Sequence, residues 1–223
     1  PLADHRLVVV DNSPAPPWER FVPRSRRRVV RGSNAGWEFS AWDDGIAHLG
    51  SEFDEFDAVA LVTSAFLRFD ALTHLDLLTP EHVERVRGER IALGHIDRFD
   101  EPVWFDGVAM QSWLRSSFVL LAPEEVRRLG SLVSVPAEVA ATVFTDDPAA
   151  PFADDAQLSD NYQRYLRGWL TGDGTGQGVQ WHSRFDLDAA TLPWFRAKAT
   201  AILNEQLLTH RLRVQSCHPT PLP

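Results

Sequence analysis

Three short polar turns follow apolar runs in the first third of the chain. Asp11-Asn12-Ser13 follows Leu7-Val8-Val9-Val10. Asn34-Ala35-Gly36 comes after Arg28-Val29-Val30-Arg31, and Thr63-Ser64 after Ala58-Val59-Ala60-Leu61-Val62. Carboxylate, amide and hydroxyl groups placed there can hydrogen-bond a polar ligand. In an open α/β sheet, ligands bind beyond the carboxyl ends of the strands. Each turn alone is explained by strand termination; three at one sheet edge favour a site. Elsewhere, His95 and Asp97 stand two apart in an apolar run. On a strand both point to one face, as a metal pair would require, although a solvated strand end has the same pattern. His182 follows Trp181, just after Gly172, Gly174, Gly176 and Gly178. A backbone with alternating glycines can fold over a ligand, and a histidine beside it can bind phosphate, ligate metal or act as a base. Arg115 beside Trp113 suits a diphosphate or carboxylate, or a plain surface stack of cation on indole.

The elements that must position these groups can be read locally. Leu7–Val10, Arg28–Arg31 and Ala58–Val62 read as short strands. Ile91–Ile96, Val103–Phe105 and Phe118–Leu121 are expected as three further strands. Phe39, Trp42, Ile46 and Leu49 recur at helical spacing. Helix starts are marked at Thr79-Pro80-Glu81, Pro123-Glu124-Glu125 and Ser159, and a long helix is expected over Leu192–Arg213. Tyr162, Tyr165, Leu166 and Trp169 form the inward face of the Ser159 helix. Strands alternating with helices predict an α/β fold with a mostly parallel sheet flanked by helices, and a more helical C-terminal half. The expectation is one domain over 1–223, with a ligand-binding half to residue 122 and a helical half from 123.

Composition narrows the function classes. The chain has 223 residues, 44% hydrophobic and 24% charged, with 22 basic and 31 acidic side chains and a net charge of −9. That balance excludes a general nucleic-acid surface. The single Cys217 excludes a disulfide framework and a cysteine zinc site. No apolar run has the length of a membrane span, and the default expectation is a reducing, cytoplasmic compartment. Lys198 is the only lysine, and eight tryptophans stand against two tyrosines. Arginines suit bidentate phosphate contacts, and indoles suit either core packing or a stacked sugar or base. Six arginines and no acid lie between Arg20 and Arg31. A basic segment on an acidic body suits a nucleotide diphosphate or a peripheral contact with an anionic membrane, because fields act over about 8–10 Å.

Val8-Val9-Val10-Asp11-Asn12-Ser13 resembles the strand and turn that hold the donor nucleotide in GT-A-type glycosyltransferases. Asn34-Ala35-Gly36-Trp37-Glu38-Phe39-Ser40-Ala41-Trp42-Asp43-Asp44-Gly45-Ile46 is similar to their glycine turn and following helix. Phe56–Val62 is similar to the strand that ends in their DxD metal motif. Gln111–Arg115 and Trp181–Phe185 resemble segments of a largely uncharacterised bacterial group of such proteins. The resemblance implies a GT-A, Rossmann-like fold and transfer of a sugar from a nucleotide-sugar to a glycan or glycoconjugate. It implies donor binding by Asp11, Asn12, Asn34, Gly36, Glu38, Thr63 and Ser64, and acceptor binding by Trp113, Arg115 and Trp181. A base for the acceptor hydroxyl is sought among Asp160, His182, Asp43 and Asp44. Where DxD belongs, the sequence reads Val62-Thr63-Ser64-Ala65. Mg²⁺ or Mn²⁺ prefers carboxylates, so the ion is held elsewhere, at His95 and Asp97 for instance, or is not used, or transfer has been lost. A non-catalytic glycan-binding or scaffold protein on a degenerate transferase fold is the alternative.

Overall fold

Two tight connections shape the chain: a glycine-rich turn that brings a helix onto a parallel strand pair, and a two-residue turn that folds a long hairpin. The computed structural model describes residues 6–13, 27–64, 78–177 and 184–222. Among them the strands are β1 (Leu7–Asp11), β2 (Arg27–Arg31), β3 (Val59–Val62), β4 (Ile91–Phe105), β5 (Val108–Leu121) and β6 (His218–Pro221). The helices are α1 (Trp37–Leu49), α2 (Pro80–Gly88), α3 (Pro123–Leu129), α4 (Ala137–Val143), α5 (Asp160–Thr171) and α6 (Leu192–Val214). The chain is α/β. It divides into two compact units, 1–96 with 114–133 and 211–223, and 97–113 with 134–210. β4, β5 and α6 each run through a boundary, so neither unit is one continuous stretch of sequence.

In the first unit β1 and β2 pair in parallel, Leu7 opposite Arg27 and Asp11 opposite Arg31. α1 packs on them where Gly45 has no side chain; a Cβ there would stand 3.1 Å from Val10 Cγ2. Phe39 and Trp42 face inward, ring edge to ring face at 5.2 Å. β3 pairs antiparallel with β5, and β6 pairs parallel with β4, in a sheet ordered β3-β5-β4-β6. Its core includes Val86, Ile91, Leu93, Phe118 and Leu120. α2 starts as its sequence dictates: Pro80 takes N1, and the Thr79 backbone N–H donates to His82 Nδ1 at 3.1 Å.

The expected parallel pairing holds for β1 and β2, whereas the four-stranded sheet is mixed and corrects the expectation there. Asp106 and Gly107 have φ of 48° and 75°, as a type I′ hairpin turn demands, and a two-residue turn joins only antiparallel strands. The runs expected as separate strands at Ile91–Ile96 and Val103–Phe105 are one strand, and Phe118–Leu121 is the end of another.

The second unit packs the distal part of that hairpin against α4, α5 and the first part of α6. Its core holds Phe99, Val103, Phe105, Trp113, Tyr162, Tyr165, Leu166, Phe195 and Leu203. Both amide atoms of the buried Asn204 are partnered: Oδ1 accepts from the Ser134 and Val135 backbone at 2.6 and 2.8 Å, and Nδ2 donates to Thr200 O. After α5 the glycines adopt left-handed backbone, with φ of 83°, 90° and 65° at Gly172, Gly174 and Gly176. The segment folds back onto the helix instead of standing free as a lid. Thr175 and Gln177 are buried, and Gln177 Oε1 accepts from the Glu101 N–H at 3.0 Å. A Cβ at Gly168 would stand 1.8 Å from Gly174 O. Gly168→Ala in a helix interior would ordinarily gain about 1 kcal/mol. Here the obstacle is backbone, so a loss of about 1–3 kcal/mol is expected in urea unfolding. A stabilised variant would show that this close approach is absent.

Among the described residues no helix is long and apolar enough to cross a membrane.

Candidate functional site

The carboxyl ends of β1 and β2 are joined to the start of α1 by a small set of polar contacts. Asp11 accepts from the Ser13 N–H at 2.8 Å, and the side-chain and backbone hydrogen bonds of Ser13 hold its carboxyl below the usual carboxylate value. Its own carbonyl accepts from Gly32 N at 2.9 Å. Asn12 Nδ2 donates to Trp37 O at 3.1 Å, across to the first turn of α1. Asn12 Oδ1 is buried and has no hydrogen-bond partner. A Cβ at Gly32 would lie 2.0 Å from that oxygen, so a side chain there requires the Asn12 amide to move. Asn34 and Trp37 have φ of 52° and 56°, a region that a bulky residue seldom occupies and that costs about 1–3 kcal/mol. Gly36 lies against Val133, where a Cβ would meet Cγ2 at 2.9 Å, and its N–H donates to Ser40 Oγ at 2.8 Å. This turn thus gathers an orphaned amide oxygen, two left-handed side-chain-bearing residues and two glycines packed closely against neighbouring side chains.

Of the expected donor residues, Asp11, Asn12, Asn34 and Gly36 meet at this edge, with Asn34 exposed. Glu38 sits one residue into α1, and its Oε1 accepts from Ser116 Oγ at 3.0 Å. Thr63 is half-buried just past β3, with its N–H on Ser117 O at 3.2 Å, and Ser64 is exposed. α1 ties this strand end down, since Trp42 Nε1 donates to Val62 O at 3.3 Å. Asp43 and Asp44 are engaged in structure. Asp43 accepts from Leu132 N at 2.8 Å and Ser131 Oγ at 2.7 Å, and Asp44 from Ser33 N at 2.7 Å. Arg211 holds the same loop by donating to Leu129 O and Ser131 O. Carboxylates committed to backbone N–H groups fix loops and are poor bases for a substrate hydroxyl.

Trp113 is 2% exposed, in the core of the second unit, with its ring 4.5 Å from Phe99 and 6.4 Å from Tyr165. Neither face is open for stacking, which corrects its assignment as an acceptor platform. Arg115 is half-buried in the first unit. Asp160 is exposed on the first turn of α5. His95 is exposed in the first unit and Asp97 half-buried in the second; among the described residues no three His, Cys, Asp or Glu side chains gather as a metal site. Trp181 and His182 lie outside the described residues.

Sequence reasoning missed the network around Glu125. This carboxylate, 3% exposed, accepts from Arg90 Nε at 2.9 Å and Nη2 at 3.2 Å, from Arg128, and from Gln215 Nε2 at 3.0 Å. Arg128 is a local i,i+3 partner, but the local pattern does not mark the network, because Arg90 and Gln215 lie 35 and 90 residues away. Beside it Cys217 is wholly buried. Burial, then the Glu125 charge, pushes its thiol up to about 12 against the opposing pull of Arg90 and Arg128. It is protonated at neutral pH and packs as a small apolar group.

No family model, curated protein or solved structure matches the chain.

Proposed function

We propose that the protein binds a nucleotide-sugar at the carboxyl edge of β1 and β2 and belongs functionally with GT-A-type glycosyltransferases. The observation that carries this reading is the meeting of Asp11 and Asn12 with the Gly32–Trp37 turn at the start of α1. Backbone strain and an orphaned polar atom concentrate there, as they do where a ligand and not packing sets the geometry. Asp11, kept ionised by Ser13, is suited to the hydroxyl or imino groups of a nucleoside. The donor's diphosphate lies toward the positive end of α1.

The test is calorimetry with UDP, GDP, CDP and dTDP, each with and without Mn²⁺. At least one is expected to bind at micromolar to millimolar affinity. Asp11→Ala, at the surface end of a strand, is expected to weaken it about tenfold, or about 1.4 kcal/mol, with an unchanged unfolding midpoint. Absence of heat with all four would end this reading.

One observation favours binding without transfer. Thr63-Ser64 stands where the resembled family has its metal-binding acids, and Asp43 and Asp44 are held by backbone N–H groups. On that second reading a nucleotide-sugar or glycan is bound and not cleaved. Slow donor hydrolysis by the native protein that is lost in His182→Ala would exclude it.

A further inference from the structure

The indole of Trp104, in the second unit, lies outside the core. Trp104 is 50% exposed, on the face of β4 opposite the buried Val103 and Phe105. From the Asp106-Gly107 turn, Ala109 falls across from it and Gln111 one pair further along the same face, both exposed. The strand beneath is held firmly. Asp106 N donates to Gln157 O at 2.9 Å, Trp104 N to Ser159 Oγ at 3.0 Å, Ser159 N to Trp104 O at 3.0 Å, and Asn161 Nδ2 to Pro102 O at 2.9 Å. These four bonds fix Trp104 beside the first turn of α5. Exposed Asp106, Gln157 and Asp160 stand at or next to the residues that make these bonds, and Gln111 is exposed on the same strand face.

The chemistry of this group selects its ligand. A protein-docking patch needs contiguous apolar area, and here one exposed indole is accompanied by exposed carboxylates and amides on neighbouring backbone. Asp106 and Asp160 repel phosphate and sulfate. A neutral sugar ring meets both requirements: its C–H face lies on an indole, and its rim hydroxyls donate to carboxylate and amide oxygens. We propose that Trp104, with Asp106, Gln111 and Asp160, forms a binding platform for a neutral saccharide. This rests on the second unit alone and stands whether or not a nucleotide binds to the first.

The test is saturation-transfer NMR on the full chain with cellotriose, maltotriose and chitotriose, and a sulfated trisaccharide as the anionic control. At least one neutral trisaccharide is expected to bind saturably in the millimolar range. Trp104→Ala is expected to weaken it about tenfold or more, whereas Trp104→Phe, which keeps a stacking face, retains most of the affinity. Trp194→Ala removes an indole that is also exposed, on α6 and edge-on to Phe185, and leaves binding unchanged. Unfolding midpoints of both alanine variants confirm that they are folded. No saturable neutral binding, equal affinity in Trp104→Ala, or preference for the sulfated sugar would overturn the proposal.

Discussion

Trp113→Ala is expected to remove about 3–5 kcal/mol of stability, the usual cost of deleting a large buried aromatic. The ring fills the middle of the second unit's core against Phe99 and Tyr165, and those rings cannot collapse into the space without leaving their own partners. Guanidinium unfolding reads the loss as a lower midpoint at an unchanged slope. Trp113→Phe restores part of the volume and recovers part of the loss. The result separates two roles for this tryptophan. An acceptor platform, when truncated, leaves a stable protein that no longer holds its sugar. A core residue, when truncated, leaves a protein near its unfolding threshold. A change within about 0.5 kcal/mol, the range of ordinary surface substitutions, would mean that Trp113 is not packed as described.

The second large effect is expected at Glu125. Glu125→Ala leaves Arg90 and Arg128 without their shared carboxylate and Gln215 Nε2 without one acceptor. Both arginines are about half exposed and regain water, so the cost falls below that of a fully buried orphaned charge, at about 2–3 kcal/mol. Its pH dependence follows from the direction of the shift. Burial pushes the Glu125 carboxyl up, but the hydrogen bonds and charges of Arg90 and Arg128 outweigh it, so the group ionises below the usual glutamate value. A depressed carboxylate stabilises the fold fully above its unfolded pKa of about 4.3 and loses that contribution as pH falls through the native value. Thermal unfolding of native protein and Glu125→Ala should therefore differ by a constant margin from pH 6 to 8 and converge below about pH 4. A margin that persists undiminished in acid would show that the role of Glu125 is packing and not charge.

Much of the secondary structure was legible because its causes are local. Pro80 after Thr79, Pro123 before two acids, and Ser159 before Asp160 each mark a helix start within three or four residues. α2, α3 and α5 begin there because capping and the N1 preference of proline need only neighbours in sequence. The helical spacing of Phe39 and Trp42 located α1, and short apolar runs located β1, β2 and β3. Part of the candidate site was legible for the same reason, since a polar turn after an apolar run identifies a strand end wherever the strand goes. The Asp106-Gly107 signal was equally local but went unread. It alone would have joined the apolar runs on either side into one hairpin and excluded a purely parallel sheet.

Burial and charge pairing depend on residues far apart in the chain. Trp113 and Trp104 are both strand tryptophans, and no neighbouring residue distinguishes the one sealed under Phe99 from the one facing water. Asp43 reads as a candidate base until Ser131 and Leu132, almost ninety positions later, occupy its oxygens. Glu125 reads as an ordinary first-turn acid until Arg90 and Gln215 close around it. The amino-acid sequence by itself determined where elements start, which strand ends are polar, that a basic segment sits on an acidic body, and that Gly32 and Gly36 are free of side chains. Tertiary structure alone decided which carboxylates are occupied, which indoles are open, and that the segment of Gly172, Gly174 and Gly176 folds back onto α5. The physical reason is range: caps and turns are settled by bonds spanning a few residues, whereas desolvation and ion pairing are settled by whatever the fold brings within a few ångströms.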